Sequence, residues 1–266
     1  MTLVLPTSTA QSTGLGTGNF RILYNNLFDT ATSVVASSEM VEFPIENISD
    51  WLPQDYFTPA ASGAYTITCT FANAKTANCM AWYNQSLSDN SGTIQLQYWD
   101  GSAWQNASDN ISPSNNDPRV VYFDAQASTQ WRFNISSTPA SSIGILFFGE
   151  YLGLELGIRN GFTPPRFSHN NNYVSNVAQN GNFIGRSIVS QSGVVSIPVE
   201  YMTDQWARDN WDSFTDHAEL KPFFFTWDAV NYPNEHAFAW STDKSFSTTN
   251  QTFNRMQSTI KARVIA

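Results

Sequence analysis

Three histidines, His169, His217 and His236, are the residues from which metal or acid–base chemistry would first be built, and their spacing serves neither. None stands at zinc-ligand spacing to another or to Cys69 and Cys79, and no His-Glu-x-x-His pattern occurs. There is no Gly-x-Ser-x-Gly elbow, and Gly14-Leu-Gly16-Thr-Gly18 follows no strand, so these glycines read as a spacer and not as a phosphate loop. Asp209, Asp212 and Asp216 recur at helical spacing on one face. Opposite an apolar stripe, such a set is a solvated face and not a cation site. A carboxylate pair for glycoside hydrolysis is defined by its separation in space. Nothing in this sequence points to one, and with only 13% charged residues few groups could tune it. The expectation is a chain with no catalytic residues, no cofactor and no metal.

What remains are aromatics. Trp51, Tyr56, Phe57, Trp82, Tyr83, Trp99 and Trp104 fall at or near the ends of predicted strands, where a flat face can stack on a sugar ring. Of these, Trp51, Tyr56, Trp82, Trp99 and Trp104 are the candidate contacts for sugar or for a protein partner, with core packing the alternative for each.

The elements that would carry them are mostly strands. From Phe20 to about Ser136, short runs with period-2 alternation are separated by Asn, Asp, Ser, Gly and Pro clusters. The clearest are Tyr65/Ile67/Cys69/Phe71, Ile94/Leu96/Tyr98, Val120 to Phe123 and Trp131/Phe133/Ile135. Asp100-Gly101 predicts a two-residue hairpin turn between Trp99 and Ala103. Cys69 shares its face with Tyr65, Ile67 and Phe71, which predicts a buried free thiol in preference to a bridge with Cys79. Residues 143 to 156 form a long apolar stretch that reads as a buried strand. Asn160-Gly161-Phe162-Thr163-Pro164-Pro165 marks a boundary.

Beyond it, Phe183 to Val189 and Val194 to Tyr201 read as strands. Asp204 to Leu220 reads as a helix capped by Thr203 or Asp204, with Ala207, Trp211, Phe214 and Ala218 on its apolar face and Pro222 as its stop. Further strands are expected at Phe223 to Trp227, His236 to Trp240 and Met256 to Ile265. The predicted fold is mainly β: a flexible arm over 1–19, a β-sandwich jelly roll over 20–157, and an α+β domain over 158–266 with one principal helix.

Composition narrows the partners. Lys and Arg number 13 against 22 Asp and Glu, a net charge of -9, the wrong sign for binding nucleic acid or anionic membranes. No apolar run reaches the roughly 20 residues of a spanning helix, so no membrane insertion is expected. Met1 to Pro6 carries no basic residue ahead of its short apolar stretch, which predicts synthesis in the cytoplasm without export. Sequons such as Asn47-Ile-Ser49 and Asn134-Ile-Ser136 are what an amide- and hydroxyl-rich chain yields by chance.

Two stretches carry a resemblance. Residues 27 to 57, with Ala36-Ser-Ser-Glu39, Pro44-Ile-Glu-Asn47 and Trp51, resemble the start of discoidin-like, galactose-binding-like jelly rolls of bacteriophage structural proteins. Phe183-Ile-Gly-Arg186-Ser, Glu200-Tyr-Met-Thr-Asp204-x-Trp206, Lys221-Pro-Phe-Phe-Phe225-x-Trp227 and Asn231-Tyr-Pro233-Asn-Glu235 resemble the ring-forming domain of the distal tail or baseplate ring family of long-tailed phages. The resemblance implies a structural virion protein at the tail tip, closing a hexameric ring of identical copies and joining the tail tube and other baseplate proteins to the host-recognition apparatus. The alternative is a carbohydrate-binding module attaching to host glycan through the jelly roll. The sequence shows no cluster of Arg and His to hold sugar hydroxyls. A glycan-degrading enzyme is the third reading.

Overall fold

A computed structural model describes residues 19–156, 158, 162–243 and 246–266. The expected arm, residues 1–19, lies outside these apart from Asn19, as do residues 157, 159–161, 244 and 245. Among the described residues the chain is mainly β with one principal helix, and no helix is long and apolar enough to cross a membrane.

The first body is a β-sandwich held by two long bent strands, β3 (Gly63–Gln85) and β6 (Arg119–Ser137). They pair antiparallel along their length, with register shifts between Thr70 and Lys75 and between Ala77 and Cys79. Shifts of this kind bend a strand, so each long strand serves both layers. In one layer β2 (Ser33–Ala36) pairs the first part of β3, and β4 (Thr93–Trp99) pairs the last part of β6 and then β5 (Trp104–Asn106). In the other layer β7 (Ile143–Gly149) pairs the second part of β3. The predicted faces hold: Tyr65, Ile67, Cys69, Phe71, Ile94, Leu96, Trp131, Phe133 and Ile135 all lie in the core between the layers. Both cysteines are buried free thiols. All of β7 is buried, and Gly144 is required there because the carbonyl oxygens of Pro53 and Asn84 lie 2.9 Å from where a Cβ would stand.

The second body is a seven-stranded sheet ordered β11 (Gly193–Thr203), β15 (Arg255–Ile265), β13 (His236–Ser241), β12 (Phe223–Thr226), β1 (Arg21–Leu23), β8 (Leu152–Gly153), with β14 (Thr249–Thr252) also on β15. The expected division at 157/158 therefore cuts across this sheet: β1 and β8 belong to it, and the sandwich runs between them as an insertion. Long-range pairing of β1 with β12 leaves no local trace in the sequence. Phe223 and Phe225 face one core while Phe224 faces another, and Ala237 and Ala239 part from Phe238 in the same way. Strands buried on both faces read as unbroken apolar runs, which is why Phe223-Phe-Phe225 shows no alternation.

One face of this sheet is covered by the helix α1, which runs through Asp204–Trp206, Ala207–Trp211 and Asp212–Leu220 as one segment. Thr203 Oγ1 caps it at Trp206 N, 3.3 Å away, and Ala207, Trp211, Phe214 and Ala218 are buried on the sheet, as their spacing predicted. The middle turns, Ala207–Trp211, are π-helical, a widening that periodicity does not reveal. The opposite face of the sheet is covered by the sandwich, through Trp51, Ala81, Val120, Ile145 and Phe147.

Phe183 to Val189 forms a strand, β10 (Phe183–Ser190), but not one of the seven. Among the described residues it pairs only with β9 (Asn172–Val177), as a separate two-stranded ribbon.

Candidate functional site

The five candidate aromatics part into two groups. Trp51 and Trp82 are each 1% exposed and offer no face to a ligand. Trp51 sits at φ 67° against Phe147, His217 and Phe224, inside the junction of the two bodies. Its covering residues come from the second half of the chain, so the Ser-Asp-Trp-Leu-Pro stretch looked like a loop rim when read alone. Phe57 is buried, and Tyr83 stacks on Phe238. Tyr56 is half-buried, stacked on Phe43 at 4.7 Å. Only Trp99 and Trp104 come together as half-exposed indoles, with ring centroids 5.5 Å apart.

Their pairing follows from the β4–β5 hairpin, in which Trp99 stands directly opposite Trp104. The hairpin's two tip residues are Gly101 and Ser102, one position later than expected, because Asp100 and Ala103 are themselves joined through Asp100 N and Ala103 O. Gly101 takes φ 102°, open to glycine without strain. Asp100 Oδ1 accepts from Ser102 N and Ala103 N, both at 2.8 Å, and Oδ2 accepts from Gln105. These bonds hold its carboxyl well below the usual carboxylate range.

Beside the indoles lies a row that the sequence reading passed over. Gln97, Arg132 and Thr68 stand opposite one another across β4, β6 and β3. The alternation that sends Trp131 and Phe133 inward sends Arg132 outward. The Arg132 guanidinium lies 4.3 Å from the Trp104 ring centre, and its Nε donates to Gln97 Oε1 at 2.7 Å. Gln97 Nε2 donates to Asn106 Oδ1 at 2.8 Å and to Gln95 Oε1 at 3.3 Å, and Gln95 Nε2 donates to Ser108 O. Partial burial lowers the pKa of Arg132, from so high a value that it stays charged. Its terminal Nη nitrogens carry no hydrogen bond to the described residues. The result is a pre-ordered polar face with one fixed cation, amides held by one another, and two indoles at its end. The signal that could have found it is the polar parity of β4 and β6, Gln95/Gln97 with Gln130/Arg132/Asn134.

A second concavity, of about 670 Å³, opens where the sandwich meets the sheet and is lined by Arg119, Arg166, His169, Glu235 and His236 among others. His236 Nδ1 lies 2.9 Å from Thr226 Oγ1, which also bonds the Tyr122 hydroxyl. Burial, reinforced by Arg119, pushes the His236 pKa down to about 3. The imidazole is therefore neutral near pH 7. His217 likewise is held, by the Pro222 carbonyl and between Tyr24 and Trp51. Asp209, Asp212 and Asp216 are exposed. Among the described residues no group of three or more His, Cys, Asp or Glu could hold a metal ion.

The chain matches no protein-family model and no curated protein. Its structure is similar to those of several carbohydrate-binding modules. A pectin-binding module is 15% identical, with 44% of this chain and 89% of that one covered and a TM-score of 0.39. The family 32 module of AlyQ, in complex with 4,5-unsaturated mannuronic acid, is 22% identical over 44% and 94%, with a TM-score of 0.36. The family 32 module of Clostridium perfringens NanJ, in complex with galactose, is 13% identical over 50% and 98%, with a TM-score of 0.40.

Proposed function

We propose that the chain is a non-catalytic carbohydrate-binding protein that holds glycan along the outer face of the β2, β3, β6, β4, β5 layer. The observation that carries this reading is the cluster of Trp104, Arg132 and Gln97. It combines an indole platform for the apolar face of a sugar ring with amide and guanidinium groups for its hydroxyls, all held in place before ligand arrives. Pre-ordering lowers the entropy lost on binding. Trp104 stacks, Arg132 Nη donates, and Gln95 and Asn106 complete the rim.

Titration calorimetry against a glycan panel tests this. Galactosides and uronate-bearing polysaccharides, the ligands named for the similar structures, come first. Binding that Trp104→Ala and Arg132→Ala each abolish, with unchanged circular dichroism, supports the site. Absence of binding at millimolar sugar ends it.

A second reading, the ring-forming structural protein of a phage tail tip with tube and baseplate partners, is favoured by one observation, the apolar ribbon that no other strand of the described chain joins. The motifs behind it fall on β10, on the passage from β11 into α1, on β12, and on the turn before β13. Mass spectrometry of virions tests it, and a protein absent from particles would sink it.

A further inference from the structure

We infer, resting on the glycan site proposed above, that its ligand is an acidic sugar, whose carboxylate or sulfate oxygens are received by the two Nη nitrogens of Arg132. The face around this guanidinium is otherwise neutral. Beside the row Thr68, Arg132 and Gln97, Thr70 stands opposite Gln130 on one side, and on the other Thr66 and Gln95 both stand opposite Asn134. Side-chain alternation puts all of these on the outer face with Arg132. They are hydroxyls and amides, so a single cation stands in a field of groups that match the hydroxyls of a sugar. Among the described residues no Asp or Glu pairs with it, because the ion pairs lie elsewhere. Asp100, at the tip of the neighbouring hairpin, is committed to Ser102, Ala103 and Gln105.

The guanidinium is also fixed in direction. Its Nε is taken by Gln97 Oε1 at 2.7 Å, and its Cζ lies 4.3 Å from the Trp104 ring centre. What remains is the end-on pair of Nη nitrogens, whose parallel N–H bonds fit two oxygens of one oxyanion. A neutral sugar meets these donors only with hydroxyls, which are weaker acceptors than an anion. Burial acts on Arg132 with no carboxylate to offset it, and an anionic substituent supplies the missing countercharge. The net charge of -9 opposes anions at long range. Salt screens that field beyond about 8 Å, whereas the guanidinium acts at contact.

Titration calorimetry of the full chain against oligogalacturonate and its methyl ester tests this, because the two share their rings and linkages and differ in the charge of the carboxyl group. The acid form is expected to bind at least about tenfold more tightly. Its affinity should fall as salt is raised, while that of the ester does not. Arg132→Gln is expected to bring the acid form to the ester's level or below. Arg132→Lys, charged but without the planar fork, should keep part of the preference, both variants with unchanged circular dichroism. A sulfated galactan and its desulfated form repeat the comparison for the second oxyanion, and a preference for charge in either pair upholds the inference and identifies the oxyanion. Equal binding of charged and neutral forms in both pairs overturns it and leaves the glycan site standing. So does an acid form held as tightly by Arg132→Gln as by the parent. Absence of binding to any of these sugars at millimolar concentration ends the glycan site itself, and the acid preference with it.

Discussion

The junction between the two bodies and the outer face of the sandwich use the same materials to opposite ends. At the junction Arg21 packs on the rings of Tyr122 and Tyr151, 4.4 and 4.3 Å from their centres, the two rings nearly perpendicular to one another. On the outer face Arg132 lies 4.3 Å from Trp104. Arg21 has two aromatic rings against it, and its Nε is buried without a hydrogen bond. It therefore acts as a clamp, joining β1 to the sandwich strand β6 and to the segment before β8. Arg132 has one side taken, its Nε satisfied by Gln97 and its Nη nitrogens turned to no described partner. A guanidinium packed on two rings from different elements ties those elements together, and one packed on a single ring keeps its terminal nitrogens clear of the described residues. The tryptophans divide in the same way, Trp51 enclosed and Trp104 half-open.

The largest effect that would break this contrast is at Trp51. Trp51→Ala removes a fully buried indole from the junction and is expected to cost about 3–5 kcal/mol in chemical denaturation; a loss below about 1 kcal/mol would show that the junction does not hold the bodies together. Acid comes next. The His236 pKa is pushed down to about 3 in the folded chain, against about 6.5 when unfolded, so its contribution is whole above pH 6.5 and is lost as pH falls toward 3. Thermal midpoints should drop across that window and drop less in His236→Gln, and parallel profiles would refute the assignment. Arg21→Ala, which empties the clamp, should cost about 2 kcal/mol as a desolvated cation–π contact. Tyr122→Phe should cost about 1 kcal/mol, the worth of one hydrogen bond to Thr226. Smallest in stability and sharpest for function is Trp104→Ala, expected to shift unfolding by less than about 0.5 kcal/mol while abolishing glycan binding. If it unfolds the chain as Trp51→Ala does, the open and enclosed regions are not distinct.

Much of the fold was legible because it is local. Period-2 runs such as Tyr65 to Phe71 and Trp131 to Ile135 marked both the strand and its buried face, and the Thr203 cap with the stripe Ala207, Trp211, Phe214 and Ala218 marked the helix. What stayed hidden depends on distant partners. Arg21–Leu23 gives no sign that it joins Phe223–Thr226, and Trp51 gives none that His217 and Phe224 will enclose it. Phe183 to Val189 is a strand as expected, but in a ribbon apart from the seven-stranded sheet, because alternation reports a face and not what covers it. The site was half visible. Trp99 and Trp104 were named, but Arg132 was passed over because it stands alone in sequence, and the amides that fix it arrive from β4 and β5.

The sandwich leaves the seven-stranded sheet after Leu23 and returns at Leu152, on strands that are direct neighbours, with Ile22 opposite Leu152. In chain terms it is a graft between two adjacent strands, the arrangement in which whole modules are most readily exchanged. Yet Leu23, Phe224 and Phe238 lie beneath it, so the host sheet cannot shed its insert for a short turn without baring that apolar floor. Any replacement would have to bring counterparts of Trp51, Ala81, Ile145 and Phe147. The range of inserts this sheet can carry is thereby set by their undersides, while their outer faces are left free to diversify.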